Sequence, residues 1–177
     1  MGAVAVATER GVMAVSLAEC KASLRLERDD EDALIAGFVR TAMALCEAFT
    51  GQWLIAREGE QRLAQEACWQ RIAVLPVVAI SSVTGSVGPV VTGDYETDID
   101  LSGTGWVRLM NPDAVARPVV RFRSGLAEDW NGIPEPLRQG IVRLVVHLFS
   151  HRDAADAGPP PAAVAAMWRP WRRMRLG

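Results

Sequence analysis

The stretch "IPEPLRQGIVRLVVHLFSHRDAA" constrains the fold of this chain more than any other. Leu137, Ile141, Leu144, Val145 and Leu148 recur at helical spacing, and Val142, Val146 and Phe149 widen the stripe. A helix apolar over so much of its girth belongs at the centre of a core, covered by other elements. Pro134 and Pro136 stand at its mouth, where the first N–H groups need no intrahelical partner. The pattern predicts helix over 134–157.

The N-terminal part supplies covering helices. In "SLAECKASL", Ser16 followed three residues later by Glu19 is a capping box, so a short helix starts there. In "RDDEDALIAGFVRTAMALCEAFTG", Asp29, Asp30, Glu31 and Asp32 crowd a first turn that favours negative charge. Leu34, Ile35, Phe38, Ala42, Leu45 and Phe49 then predict one buried face, and Gly51 a stop. After the stiff "GPPP" at 158–161, a last short helix over about 162–168 leads into the closing "MWRPWRRMRLG".

The middle has a different texture. "VVAISSVTG" (77–85), "GWVRLMN" (105–111) and "RPVVRFRSG" (117–125) read as strands punctuated by Gly and Pro. "GDYETDIDLSGTG" alternates Asp94, Glu96, Asp98 and Asp100 with Tyr95, Thr97, Ile99 and Leu101, predicting a wet acidic face and an apolar one. Residues 57–71 fit a helix or a strand pair, and pattern alone does not choose. Helices from both ends thus bracket a β-rich middle.

Composition narrows the function classes. The 177 residues make one domain, or one with an embellishment. A formal net charge of −2 provides no global field for DNA or anionic lipid, and the basic signal is confined to the tail. Cys20, Cys46 and Cys68 fit neither a disulfide framework nor a CxxC site and read as reduced, mostly buried thiols. The opening "MGAVAVATERGVMAV" is interrupted by Glu9 and Arg10 and lacks a basic n-region, so residues 1–15 read as a flexible arm. No stretch reaches the roughly 20 apolar residues of a membrane span. A cytoplasmic protein is expected.

Catalytic and metal templates fail. His147 and His151 are four apart on one helix, but Leu148 stands where a zinc protease needs Glu, and no third ligand is evident. The acids from Asp94 to Asp100 lack the Gly and Glu of a calcium loop, since Ile99 and Gly105 occupy those places. No phosphate loop, dinucleotide fingerprint or nucleophile elbow occurs. No cofactor, no metal and no enzymatic activity are expected.

The tail is the remaining candidate. Its arginines, Arg169, Arg172, Arg173 and Arg175, contacting about four phosphates would give a salt slope of about −3.6 on duplex DNA, weak and non-specific binding. Trp168 and Trp171 are a stronger asset, because Trp and Arg are enriched at protein–protein hot spots. Three fates stay open for the tryptophans: folding back on their own core, docking on another protein, or serving nucleic acid or membrane.

Several features in order resemble the head–tail connector (adaptor) proteins of long-tailed bacteriophages and gene transfer agents. "VSLAECKASLRLERDDEDALIAGFVRTAMALCEAFTG" is similar to that family's opening of short helix, K-x-x-L-R stretch, acidic cap and helix closing at TG. "LPVVAISSVTG" is similar to its LP-x-x-P-V-x-S-V strand, "IPEPLRQGIVRLVVHLFSHRD" to its I-P-x-x-L helix, and "MWRPWRRMRL" to its L-x-P-Y-R-x-x-R-L ending. Phe149, Asp153 and Val78 depart mildly from those patterns, and the first 14 residues have no counterpart.

The resemblance implies an α+β structural protein: a small α-helical bundle formed by the N- and C-terminal helices, carrying an antiparallel β-rich insertion. It divides the chain into an arm (1–15), a single connector domain (16–157, helical over 16–51 and 134–157, with the insertion at 52–127) and a Pro-rich linker with docking tail (158–177). Such a protein is made in the bacterial cytoplasm and ends in the neck of the particle. It self-associates into a ring, a dodecamer, on the capsid portal, extends the DNA channel without binding DNA specifically, and joins the next tail-side connector (stopper) or tail protein. No membrane is involved. Trp168, Arg169, Trp171, Arg172, Arg173 and Arg175 are the expected portal-docking residues. Asp94, Glu96, Asp98 and Asp100 are the expected contact with a neighbouring subunit or the tail side. Removing 162–177 is expected to leave a folded monomer. The alternative is a nucleic-acid-binding accessory protein using the basic tail.

Overall fold

In the computed structural model, residues 5–7, 16–90, 93–152 and 161–173 are described. The chain forms two compact units, one of residues 12–55 and 127–177, the other of 1–11 and 56–126.

The first unit is helical. Helix α1 spans Leu17–Leu24, and the Ser16 hydroxyl accepts the Glu19 amide at 3.1 Å, as the capping box predicts. Helix α2 spans Asp32–Thr50 and closes on Gly51 at φ 71°, the left-handed conformation that glycine adopts without strain. Helix α3 spans Glu135–Ser150 and gives way to a turn at 151–152, while residues 153–157 of the expected 134–157 lie outside the described residues; α4 spans Ala162–Trp168. A 3₁₀ turn, Arg169–Trp171, follows α4. Helix α3 packs against α1, α2 and α4, which is the central place its apolar girth demands. Its Leu137, Gly140, Ile141, Val142, Leu144 and Val145 are buried. Helices α2 and α3 run antiparallel: Phe38 meets Phe149 edge-on at 6.4 Å, and Arg152 reaches Glu31 at 3.2 Å.

The face of α2 differs from expectation. Ile35, Val39, Ala42, Met43, Cys46 and Thr50 are buried, whereas Leu34 and Leu45 are 42% and 39% exposed. The helix carries two apolar faces, and the sequence pattern merged them. By length and composition α2 is also apolar enough to cross a membrane, although Arg40 and Glu47 interrupt its run. Its buried face is spent on α3.

Among the described residues the second unit holds eight strands: β1 (Ala5–Ala7), β2 (Arg57–Arg62), β3 (Gln70–Arg71), β4 (Val77–Gly85), β5 (Gly88–Pro89), β6 (Tyr95–Ile99), β7 (Gly105–Leu109) and β8 (Val119–Ser124). They form a five-stranded antiparallel sheet, β1-β2-β8-β4-β5, and a three-stranded one, β3-β7-β6. Within 57–71, residues 57–62 and 70–71 are therefore strands, but in different sheets and not paired with each other, and 63–69 form neither strand nor helix. Val77, Val83, Val120 and Phe122 from the larger sheet and Val107 and Leu109 from the smaller are buried. The sheets approach closely at Gly105, where an added Cβ would lie 2.9–3.1 Å from Ile72 and Val77. Buried Gln61 satisfies both ends of its amide, donating to the Arg71 carbonyl at 2.9 Å and accepting the Ala73 amide at 2.7 Å.

These strands correct the expected fold class. The β part is not an insertion carried by a helical bundle: the described residues form four helices and eight strands, and the strands make two antiparallel sheets with a core of their own. The physical reason lies in strand β1, which pairs with β2 in the register Ala5↔Gln61. Residues from the N-terminal segment thereby join residues 56–126 in one unit. The remainder of that segment lies outside the described residues.

Candidate docking surfaces

The closing tryptophans and arginines separate into an inner and an outer part. Trp168 is 1% exposed. Its indole packs against α3 where residue 140 is glycine, and a Cβ there would overlap Nε1, Cδ1 and Cε2 of the ring. Its Nε1 donates to the Leu137 carbonyl at 3.4 Å, and its ring sits 5.9 Å from Phe49. Trp168 is thus a core residue. With buried Val164 it makes α4 part of the helical core, so removing 162–177 removes core and not an appendage.

Beyond Trp168 the chain turns outward. Trp171 is half-buried, and its carbonyl accepts from Gln52 Nε2 at 2.5 Å. The Arg173 amide donates to the Thr50 carbonyl at 2.8 Å, which ties the segment to the end of α2. The side chains of Arg169, Arg172 and Arg173 are exposed, with the Arg172 guanidinium 5.6 Å from the Phe49 ring centre. Arg175 lies outside the described residues, as does the linker at 158–160. The result is a small cationic surface seated on a buried tryptophan.

The four acids fall on and beside β6, an edge strand. Glu96 is drawn into the sheet by Arg108, directly opposite in register, at 2.6 Å. Asp100 organises the β6–β7 turn. Its Oδ1 accepts the Ser102 hydroxyl at 2.6 Å and the amides of Ser102 and Thr104 at 2.8 and 3.0 Å. Its Oδ2 takes the Trp106 Nε1 at 3.3 Å. These bonds, the Ser102 hydroxyl first, hold the Asp100 carboxyl well below the usual carboxylate range. Asp94 and Asp98 are exposed and have no ion pair among the described residues. The alternation is as expected, but the apolar side of the strand is uncovered too: Ile99 is 38% exposed and Leu101 fully so.

Two further tryptophans share the acids' side of this sheet. Trp69 is 43% exposed with Arg108 5.2 Å from its ring, and Trp106 pairs in register with Asp98. Sequence reasoning passed over both. The alternation Trp106, Arg108, Met110 was visible, but only the register with β6 sets these residues beside the acids.

The remaining reactive side chains form no catalytic arrangement among the described residues. The His147 and His151 rings lie 4.3 Å apart, and His151 Nδ1 is 2.8 Å from the His147 carbonyl. No group of three metal-ligating side chains occurs among the described residues. Burial, then Glu19, pushes the Cys20 thiol up to about 11, and burial likewise raises Cys46. Cys68 is exposed and raised by its hydrogen bond to Glu66. An open groove of about 260 Å³ beside the β4–β5 turn is lined by Gly85, Val87, Pro89, Val115 and neighbours, with Asp94 as its titratable side chain.

The sequence matches no family model and no curated protein. Its fold matches solved structures. A chain of the virion of a native gene transfer agent (GTA) particle is 22% identical with a TM-score of 0.77, over 97% of this chain and 96% of that one. A chain from the neck of an empty GTA particle computed with C6 symmetry is 22% identical with a TM-score of 0.75, over 99% and 97%. A chain from the neck of a native GTA particle computed with C12 symmetry is 22% identical with a TM-score of 0.67, over 94% and 96%. The likeness is one of fold, and it extends over nearly the whole of each chain.

Proposed function

We propose that this chain is a structural head–tail connector of a tailed phage or gene transfer agent particle. In this reading it forms a ring, a dodecamer, on the capsid portal, extends the DNA channel and carries the next tail-side component. The observation that carries the reading is the full-length likeness of fold to chains of GTA virion and neck structures. The order of sequence motifs supports it independently, and neck structures computed with C6 and C12 symmetry support a ring of copies.

The surface proposed to grip the portal is Trp171 with Arg169, Arg172 and Arg173, and Arg175 beyond them. Trp168 has another part: buried against Gly140, it holds that surface in place. Single contacts of this kind are weak, and a ring multiplies them by avidity. The test is co-sedimentation with purified portal rings, followed by electron microscopy. Wild-type chain should decorate the portal as a ring. Arg169→Glu, Arg172→Glu and Arg173→Glu combined should weaken that binding at least roughly tenfold. Undiminished binding by the triple variant would remove the tail from the interface, and absence of wild-type rings would remove the connector assignment. Tight, steeply salt-dependent DNA binding by the isolated chain would favour a nucleic-acid accessory protein instead.

A further inference from the structure

Two apolar surfaces on this chain have no partner among the described residues. The first is the outer face of α2. At about 100° per residue, Leu34, Thr41 and Leu45 stand in one row, with Gly37, Ala44 and Ala48 alongside. Leu34, Thr41, Ala44, Leu45 and Ala48 are exposed. Thr41 turns its hydroxyl to the Gly37 carbonyl at 3.1 Å, which leaves its methyl group to the surface. Only Arg40, at the border of the row, is charged, and it has no ion pair among the described residues. Just 28% of the most apolar 18-residue window of this helix is buried. A helix face exposed to water is ordinarily polar, and this one is not.

The second surface is the tip of the β6–β7 hairpin. Leu101 is fully exposed, and Ile99 is 38% exposed behind it. The turn is rigid: Asp100 binds the amides of Ser102 and Thr104, and Gly103 at φ 78° completes it. A leucine held out by a preorganised turn loses little entropy on docking. Beside it, Asp98 is an exposed anion without an ion pair among the described residues.

We infer that the hairpin tip of one copy docks on the α2 face of a second copy, with Leu101 and Ile99 on the Leu34–Thr41–Leu45 row and Asp98 beside Arg40. Small side chains give the row room for a protruding leucine, and the anion meets the cation bordering it. Complementary patches in different places on one chain make a heterologous contact, which closes into a ring or continues as a filament. A second copy as occupant rests on the ring reading above. A lipid surface would call for a rim of several cations, and this face has Arg40 alone. One tip and one helix face bury less than the roughly 800 Å² per partner of a stable complex, so each contact is weak until the ring closes.

The test uses full-length protein with Cys68→Ser, which leaves the two buried cysteines in place. Chains carrying Thr41→Cys and chains carrying Leu101→Cys are mixed under mild oxidation. A mixed disulfide should form, well above the level from a Ser86→Cys control on another exposed turn. Adding Leu45→Glu to the Thr41→Cys chain should reduce it roughly tenfold. Arg40→Asp and Asp98→Arg should each weaken the cross-link, and a mixture in which the two changes face each other should restore it. All these positions are exposed, so circular dichroism should show unchanged folding. Cross-linking no better than the control, or indifferent to Leu45→Glu, overturns the contact. So does flotation of the chain with phosphatidylcholine vesicles that Leu45→Glu abolishes. Complete rings on portal from a Leu101→Asp chain would overturn the contact and leave the ring reading intact. Failure of wild-type chain to form rings would instead remove the ring reading.

Discussion

Replacing Gly140 by alanine should destabilise the helical unit, although glycine-to-alanine in a helix interior is ordinarily favourable by about 1 kcal/mol. The reason is the Trp168 indole, which occupies the space of the missing Cβ. The new methyl group overlaps three ring atoms at once, and those atoms belong to a rigid bicycle wedged between α3 and Phe49. The ring has to leave. Losing a buried tryptophan's packing costs about 3–5 kcal/mol, so after the propensity gain the net loss is about 2–4 kcal/mol. The decisive measurement is the same substitution in a Trp168→Ala chain. There the obstruction is gone, and Gly140→Ala should stabilise by up to about 1 kcal/mol. The sign reverses. Urea denaturation followed by far-ultraviolet circular dichroism gives the four stabilities of the cycle, and amide exchange in α3 and α4 localises them. Equal effects of Gly140→Ala in both backgrounds, or a neutral effect in the wild type, would refute the packing of Trp168 on Gly140.

Other consequences can be read directly. Asp100 is held in its charged form by the turn, so its contribution is complete above the unfolded carboxyl value of about 3.9 and is lost as pH falls toward the lower folded value. The protection of the Ser102 and Thr104 amides, measured against their intrinsic exchange rates at each pH, should accordingly fall on acidification, and in Asp100→Ala it should be low at every pH. Of the three thiols, only Cys68 is exposed, so a thiol reagent at pH 8 should label one site in the native chain and three on unfolding. That site should react more slowly than a free cysteine because Glu66 disfavours the thiolate, and Glu66→Gln should speed it.

What could be read from the sequence follows the range of the interactions involved. Helix ends are local affairs: Ser16 caps its own first turn, and Gly51 ends α2 by its own backbone. Both were legible, as was α4 to within a residue. Strand or helix over 57–71 was not, because β2 is stabilised by β8, whose register partners lie some sixty residues later. The face of α2 was half legible. Periodicity finds apolar positions but does not tell which row meets α3, and Leu34 and Leu45 belong to the other row. Trp168 and Trp171 look alike in sequence, three residues apart. What separates them is a glycine on a different helix, a signal that exists only once α3 and α4 are packed.

That separation bears on how a docking surface is built. Trp171 and the arginines after it sit on a short 3₁₀ turn and an extended residue, elements too small to hold a shape alone. Their position comes from Trp168 on one side and from the Gln52 and Thr50 hydrogen bonds on the other. A cationic surface fixed in this way loses less entropy on binding than a loose arginine-rich tail would. If this surface docks on a portal as proposed, Gly140→Ala, which alters no residue of it, should weaken portal binding along with the triple arginine reversal, though by less. A loose tail would bind through its charges alone and ignore residue 140. Portal binding that survives Gly140→Ala unchanged while falling with the arginines would mean that the patch works as a flexible polycation and that its seating on the helical core is irrelevant to docking.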